Sequence, residues 1–322
     1  MATWLTADGG RTWRSFTALG SASGVVIFDS PRHAVAESSA PGSSVVTDDG
    51  GQTWRTLPLP GQGWLSFLDS DHAWLLQAIG GPSIAPPPVA LWRTVDGGAS
   101  WQHLSMLGVP DTGQKGPLLF VDALRGLQVA GTSGGSIASL LATVDGGDSW
   151  QQVATFGSPM PGALLLNARI FVHGGHLLAV PLWVTGAVVA QSGVGVQLLG
   201  NEVLHPSVSV SDDAGRTWSP LRAGPSVSVA FNGPVGLTMD DHGRLVMFDR
   251  GRLWVSEDSG ATWRARPAAL PRGMETVGTI TAAPGALFVT ARSDRLASTD
   301  ELLRSRDGGS HWSVVPLPKL PA

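Results

Sequence analysis

Seven aspartates of this chain stand in nearly the same eight-residue setting: "TADGGRTW" (6–13), "TDDGGQTW" (47–54), "TVDGGASW" (94–101), "TVDGGDSW" (143–150), "SDDAGRTW" (211–218), "SEDSGATW" (256–263) and "SRDGGSHW" (305–312). A carboxylate between a hydroxyl residue and a glycine pair could serve as a catalytic acid. Its repetition argues against that role, because a reaction needs one such group and a repeated scaffold needs many. Asp8, Asp49, Asp96, Asp145, Asp213, Asp258 and Asp307 are each short enough to accept backbone N–H bonds within their own turn. The glycines supply the positive φ of a tight reversal. The closing Trp13, Trp54, Trp101, Trp150, Trp218, Trp263 and Trp312 are plates suited to packing between neighbouring sheets. Both sets are read as structural.

The elements that position these turns follow from their spacing. The aspartates are separated by 41, 47, 49, 68, 45 and 49 residues. A period in the forties, with alternating apolar residues and many turns, fits units of four short strands. "VALWRT" and "RLWVSE" before a box and "WRTLPLP" after one read as strands, so the box joins the last two strands of each unit. A weaker repeat, "FDSPRHAV" (28–35), "FLDSDHAW" (67–74) and "FVDALRGL" (120–127), reads as the turn between the first two. His33, His72, His173 and His242 recur near it and are expected to bond their own turns. Both kinds of turn then share one end of each sheet, and the variable loops lie at the other. The expectation is an all-β, seven-bladed β-propeller over residues 1–322, with an incomplete first blade and an insertion at about 181–206.

Composition narrows the partners. The chain has 322 residues, 43% hydrophobic, enough for a sizeable core. Only 14% are charged and the net charge is -4, which argues against nucleic acid as a partner. With no Cys there are no disulfides and no thiolate sites. The most apolar stretch, "LLAVPLWVTGAVVAQSGVGVQLLG", is broken by Pro and Gly and is not expected to span a membrane. The chain opens inside a repeat. An upstream signal sequence, and with it an extracytoplasmic location, is expected if further residues complete the first blade. No cofactor or metal is expected, and the chain is read as a monomer.

The boxes resemble the Ser/Thr-x-Asp-x-Gly-x-Thr/Ser-Trp pattern of Asp-box proteins, also called bacterial neuraminidase repeats; only the last departs from it, with His311 at the hydroxyl position. With the preceding Phe-x-Asp turn, the chain looks most like the photosystem II assembly and stability factor propellers and their bacterial relatives. That resemblance implies a protein or peptide partner docked on an arginine-bearing face. Sialidases share the box, but their Tyr nucleophile has no counterpart in a chain without Tyr.

Two sets of residues remain for function at the end opposite the boxes. Arg250, Arg252, Arg272, Arg292 and Arg295, with Arg222, cluster in the C-terminal repeats, and a guanidinium grips a carboxylate in bidentate fashion. The rival is a glycoside hydrolase or carbohydrate-binding propeller, which needs two carboxylates about 5–10 Å apart across a cleft. Its candidates are Glu275, Asp294, Asp249 and Glu202, none in a recognisable motif. The sequence reading is a non-catalytic binding or assembly scaffold that uses the arginines.

Overall fold

The computed structural model describes residues 3–6, 11–16, 26–28, 30, 32–37, 43–79, 89–110, 114–131, 135–189, 196–197, 202–228, 236–249, 251–276, 280–292 and 301–317. All regular structure among them is β. Hairpin turns built on paired glycines cut the chain into strands of mostly two to seven residues, too short and too β-branched for helices.

Among the described residues, six antiparallel sheets of four or five strands carry the fold. The first comprises Val26–Phe28, Ala34–Glu37, Ser43–Thr47 and Arg55–Pro58, and the second Gly63–Phe67, Ala73–Ala78, Val89–Thr94 and Gln102–Leu104. The third holds Gln114–Phe120, Gly126–Gly131, Ile137–Thr143 and Gln151–Gly157. The fourth is built on Leu164–His173, His176–Thr185 and Val203–Ser211, with the short Arg222–Ala223 and Val227–Ser228 at its edge. The fifth is Leu237–Met239, Leu245–Asp249, Arg252–Ser256 and Arg264–Pro267. In the sixth, Glu275–Thr276 and Thr281–Ala283 both pair with Ala286–Arg292, followed by Glu301–Ser305 and Ser313–Val314.

The expected seven blades are therefore six. The first box lies between Thr3–Leu5 and Arg14–Phe16, which among the described residues pair with each other as a two-stranded sheet. A box needs two strands to close its turn, whereas a blade needs about four. Counting boxes overcounts blades by that hairpin. The long fourth interval lengthens the two central strands of the fourth sheet and carries a small hairpin, Val188–Val189 with Val196–Gln197.

The chain divides into two compact units: Met1–Ala130 with Leu140–Gln152 and Pro318–Ala322, and Gly131–Ser139 with Val153–Leu317. In the first, Trp74, Leu76, Leu91, Phe120, Leu141 and Trp150 form a buried cluster, with Trp74 stacked on Phe120 at 3.5 Å. In the second, one cluster joins the fourth and fifth sheets through residues such as Val180, Leu204, Val208 and Met247. Another joins the fifth and sixth through Val246, Leu253, Leu287, Val289 and Trp312. Strand alternation directs every second residue into these layers, so that Leu287, Val289 and Ala291 are buried while Phe288 and Thr290 between them are only half-buried.

Candidate functional site

The chemistry of the boxes decides which end of each sheet is available. In the second sheet, the Thr94 hydroxyl donates to Asp96 Oδ1 at 2.7 Å and accepts the Gly98 N–H at 2.9 Å. Asp96 in turn accepts the Ser100 N–H and hydroxyl. The same circuit recurs at Asp49, Asp145, Asp213, Asp258 and Asp307; in the last, His311 Nδ1 takes the hydroxyl's place at 2.6 Å. Asp8 lies outside the described residues.

Such donors favour the ionised carboxylate. The Thr53, Ser100 and Thr217 hydroxyls, followed by the amides of the same residues, hold Asp49, Asp96 and Asp213 at about 2. At Asp145 burial pushes upward, but the Ser149 and Thr143 bonds outweigh it and again leave about 2. Asp258 and Asp307 are lowered likewise against burial. Groups so committed are poor proton donors and have few lone pairs left for a ligand.

The tryptophans complete the turns. Trp54, Trp150, Trp218 and Trp312 donate Nε1–H to the carbonyl of the glycine three residues earlier, whereas Trp101 reaches Pro58 of the first sheet at 3.0 Å. Trp13 and Trp263 are half-buried at the equivalent position. Arginines staple one sheet to the next box: Arg14 to the Gly50 carbonyl, Arg55 to that of Gly97 and Arg266 to that of Gly308. The first-to-second-strand turn joins this network, since Gly50, Gly97 and Gly146 donate N–H to Arg32, Asp71 and Leu124 carbonyls. The two kinds of turn do share one end of the sheet.

Of the histidines near that turn, His72 and His242 pair within it as expected, whereas His33 faces the box of its own sheet and His173 faces the fifth sheet. His72 bonds Asp69 at 2.9 Å, His242 pairs with Asp241 at 2.8 Å, and His33 lies 3.7 Å from Asp48. His173 packs against Gly243, where any Cβ would meet its ring. Asp240, Asp241 and His242 form a group of metal-ligand type, but both Asp240 oxygens are held by the Arg244 amide and guanidinium.

At the opposite end, the strand directions of the fifth and sixth sheets bring candidate residues together. Arg252 opens its strand, exposed, with Asp249 and Pro267 as cross-strand partners. Arg292 ends Ala286–Arg292, half-buried, opposite Glu275. Arg272 is exposed in the turn Pro271–Met274, closed by Met274 N–H to the Pro271 carbonyl. The Ala268 N–H to Gly251 carbonyl bond ties this connection to the Arg252 hairpin. Arg222 is exposed in the edge strand of the fourth sheet, apart from the other arginines in the pairing order. Arg250 and Arg295 lie outside the described residues.

Of the carboxylates, Asp294 also lies outside them, and Glu275 is described only by its backbone in a strand. Asp249 is half-buried, and Glu202 is buried rather than solvated as a loop charge would be. The reason is position: Glu202 leads directly into Val203–Ser211, a central strand of the fourth sheet. Sequence reasoning missed one polar cluster there, in which His205 bonds Thr185 at 3.0 Å and Ser226 at 2.8 Å. Burial lowers its pKa, so a neutral imidazole bridges two hydroxyls. Alternation in Val203–Ser211 puts His205 on the polar face with Ser207, Ser209 and Ser211, opposite Leu204 and Val208; that face is buried as well, which the pattern does not show.

No protein-family model matches the chain. Vacuolar protein sorting/targeting protein 10 of Fusarium vanettenii is 29% identical over 126 residues, covering 34% of this chain and only 8% of that protein's length. Among solved structures, YCF48 bound to D1 peptide superposes with a TM-score of 0.54 at 16% identity, covering 92% of this chain and 82% of the other. YCF48 from Cyanidioschyzon merolae gives 0.52 at 18% identity, covering 90% and 84%. At that identity the likeness is one of fold, and the fold is a β-propeller.

Proposed function

We propose that this protein is a non-catalytic β-propeller of the Asp-box kind. In this reading it binds an acidic protein or peptide segment at the sheet ends opposite its boxes, through Arg252, Arg272 and Arg292, with Arg250 and Arg295 beside them in sequence. The observation that carries the reading is the contrast between the two ends of the fifth and sixth sheets. At the box end, the carboxylates, hydroxyls and glycine amides are consumed by their own turns. At the other end, Arg252 and Arg272 are exposed on two segments joined by a backbone hydrogen bond. Exposed guanidiniums on an ordered backbone suit carboxylate recognition. The YCF48 neighbour was solved with a peptide, which is a precedent for a peptide partner on this fold.

The test is titration of a labelled Glu/Ser peptide, with a Lys/Ser peptide as control, against wild type and Arg252→Glu/Arg272→Glu. Exposed charges interact over about 8 Å at physiological salt, so binding should weaken as salt rises. The double reversal should weaken it about tenfold or more, chiefly by slowing association. Equal binding of both peptides, or no effect of the reversal, would refute the proposal. So would turnover of a glycan panel lost on Asp249→Asn and indifferent to the arginines, which is the outcome the glycosidase alternative requires.

A further inference from the structure

The repeats of this chain serve as controls for one another, and the third sheet departs from the rest. The second residue of each described box, Asp48, Val95, Val144, Asp212, Glu257 or Arg306, is exposed. Charge at that position is therefore compatible with the turn, and an apolar residue there is not required by it. Val95 and Val144, in consecutive sheets, nevertheless stand 59% and 74% exposed. A second position behaves in the same way. The residues whose carbonyls accept the box N–H are Arg32 in the first sheet, Asp71 in the second and Leu124 in the third, where Leu124 is 56% exposed. Beside them Leu107, 71% exposed, is fixed to the third box by its backbone: its N–H reaches the Asp148 carbonyl, and its own carbonyl accepts the Trp150 N–H.

We infer that Leu107, Leu124, Val144 and Val95 form a second docking surface, at the box end of the second and third sheets, for a protein segment that alternates apolar and basic residues. Leu107 and Leu124 are tied by backbone hydrogen bonds to the third box, which holds Val144, and exposed apolar side chains grouped on a polar surface mark interaction sites. The basic component follows from the charge around the patch. Asp96 and Asp145 are ionised throughout the physiological range. The carboxylates of Asp71 and Asp148 accept no hydrogen bond from the described residues. Two cations close to the third box are already engaged, Arg93 by Gln102 and the Asp145 carbonyl, and Arg125 by Asp122. A cavity of about 540 Å³ at the box end of the first and second sheets is lined by Asp48, Asp69, Asp71 and Asp96 together with Arg32, His33 and Arg55, so that four carboxylates face two guanidiniums there; Arg55 is tied to Asp48 and the Gly97 carbonyl, and His33 lies 3.7 Å from Asp48. This surface is independent of the acidic-peptide site and asks for a partner of opposite charge.

The test uses Leu124→Asp/Val144→Asp, which installs the residue that the chain already carries at the same two positions in Asp71 and Asp48. The probes are fluorescein-labelled dodecapeptides alternating Leu with Lys, Leu with Glu, and Ser with Lys. Wild type is expected to bind the Leu/Lys peptide most tightly. The double variant should bind it about fivefold more weakly or worse, even though its added negative charge favours a cation. Leu107→Ser, which leaves the backbone bonds of that residue intact, should weaken binding in the same sense and covers the case in which the double variant fails to fold. Arg252→Glu/Arg272→Glu should leave this binding unchanged. Unaltered affinity in both patch variants, or equal binding of the Leu/Glu peptide, would overturn the inference. Sedimentation showing self-association of wild type that the double variant abolishes would overturn it too, by assigning the face to a second copy.

Discussion

Thr143→Val tests the physical basis of the boxes. The Thr143 hydroxyl is buried, donates to Asp145 Oδ1 at 2.8 Å, and accepts the N–H of Gly147 at 3.0 Å and of Asp145 at 3.3 Å. Valine has nearly the same shape and none of these bonds. A buried N–H left without an acceptor costs about 1–3 kcal/mol, and the lost bond to a carboxylate adds to it. Because the bonds form one network their contributions do not simply add, and the expected loss is about 2–4 kcal/mol. Thr143→Ser keeps the hydroxyl that Ser211, Ser256 and Ser305 use in their own boxes, and should cost only about 1 kcal/mol for the methyl. Urea unfolding followed by tryptophan fluorescence measures both. Acid titration adds a second reading. The turn lowers Asp145 from 3.8 to about 2, so its contribution is complete above the unfolded value and is lost as pH falls through about 2. The valine variant should lose less stability over that window. If valine and serine cost the same, the hydroxyl is not the hub of the turn and the reasoning fails.

Trp150→Ala should cost about 3–5 kcal/mol, because the ring is buried, lies edge-on to Phe120 at 6.1 Å and bonds the Gly147 carbonyl; Trp101→Ala, only half-buried, should cost clearly less by the same unfolding assay. Ala214 and Ser259 hold φ of 60° and 55° where four of the other described boxes have glycine, so Ala214→Gly and Ser259→Gly should each stabilise by about 0.5–1 kcal/mol. Burial lowers the pKa of His205, so the folded state binds fewer protons than the unfolded one. Stability is then full above 6.5 and falls as pH drops below it, and His205→Gln should remove that part of the pH profile.

The turns were legible because hydroxyl, carboxylate, positive-φ glycine and indole all act on one another within eight positions. Blade number was not, since the box of residues 6–13 looks like the others while its strands, among the described residues, form a two-stranded sheet. Strand polarity placed Arg252, Arg272 and Arg292 at the end opposite the boxes, as the alternation of turns implied. Pattern could not show that Asp249 and Glu275 stand opposite Arg252 and Arg292, because cross-strand register depends on hairpin geometry. The burial of Glu202 was missed for a related reason: an extended central strand reached further than the turn signals suggested. The apolar substitutions at Val95 and Val144 are visible in the boxes themselves, whereas Leu107 joins them only through tertiary hydrogen bonds.

Hydrogen exchange of the protein with and without the Glu/Ser peptide tests the central claim most directly. Added protection is expected at 251–252, 268–274 and 291–292, with no change at the box turns 94–101, 143–150, 256–263 and 305–312. Protection at those boxes, with the arginine-bearing segments unchanged, would contradict it.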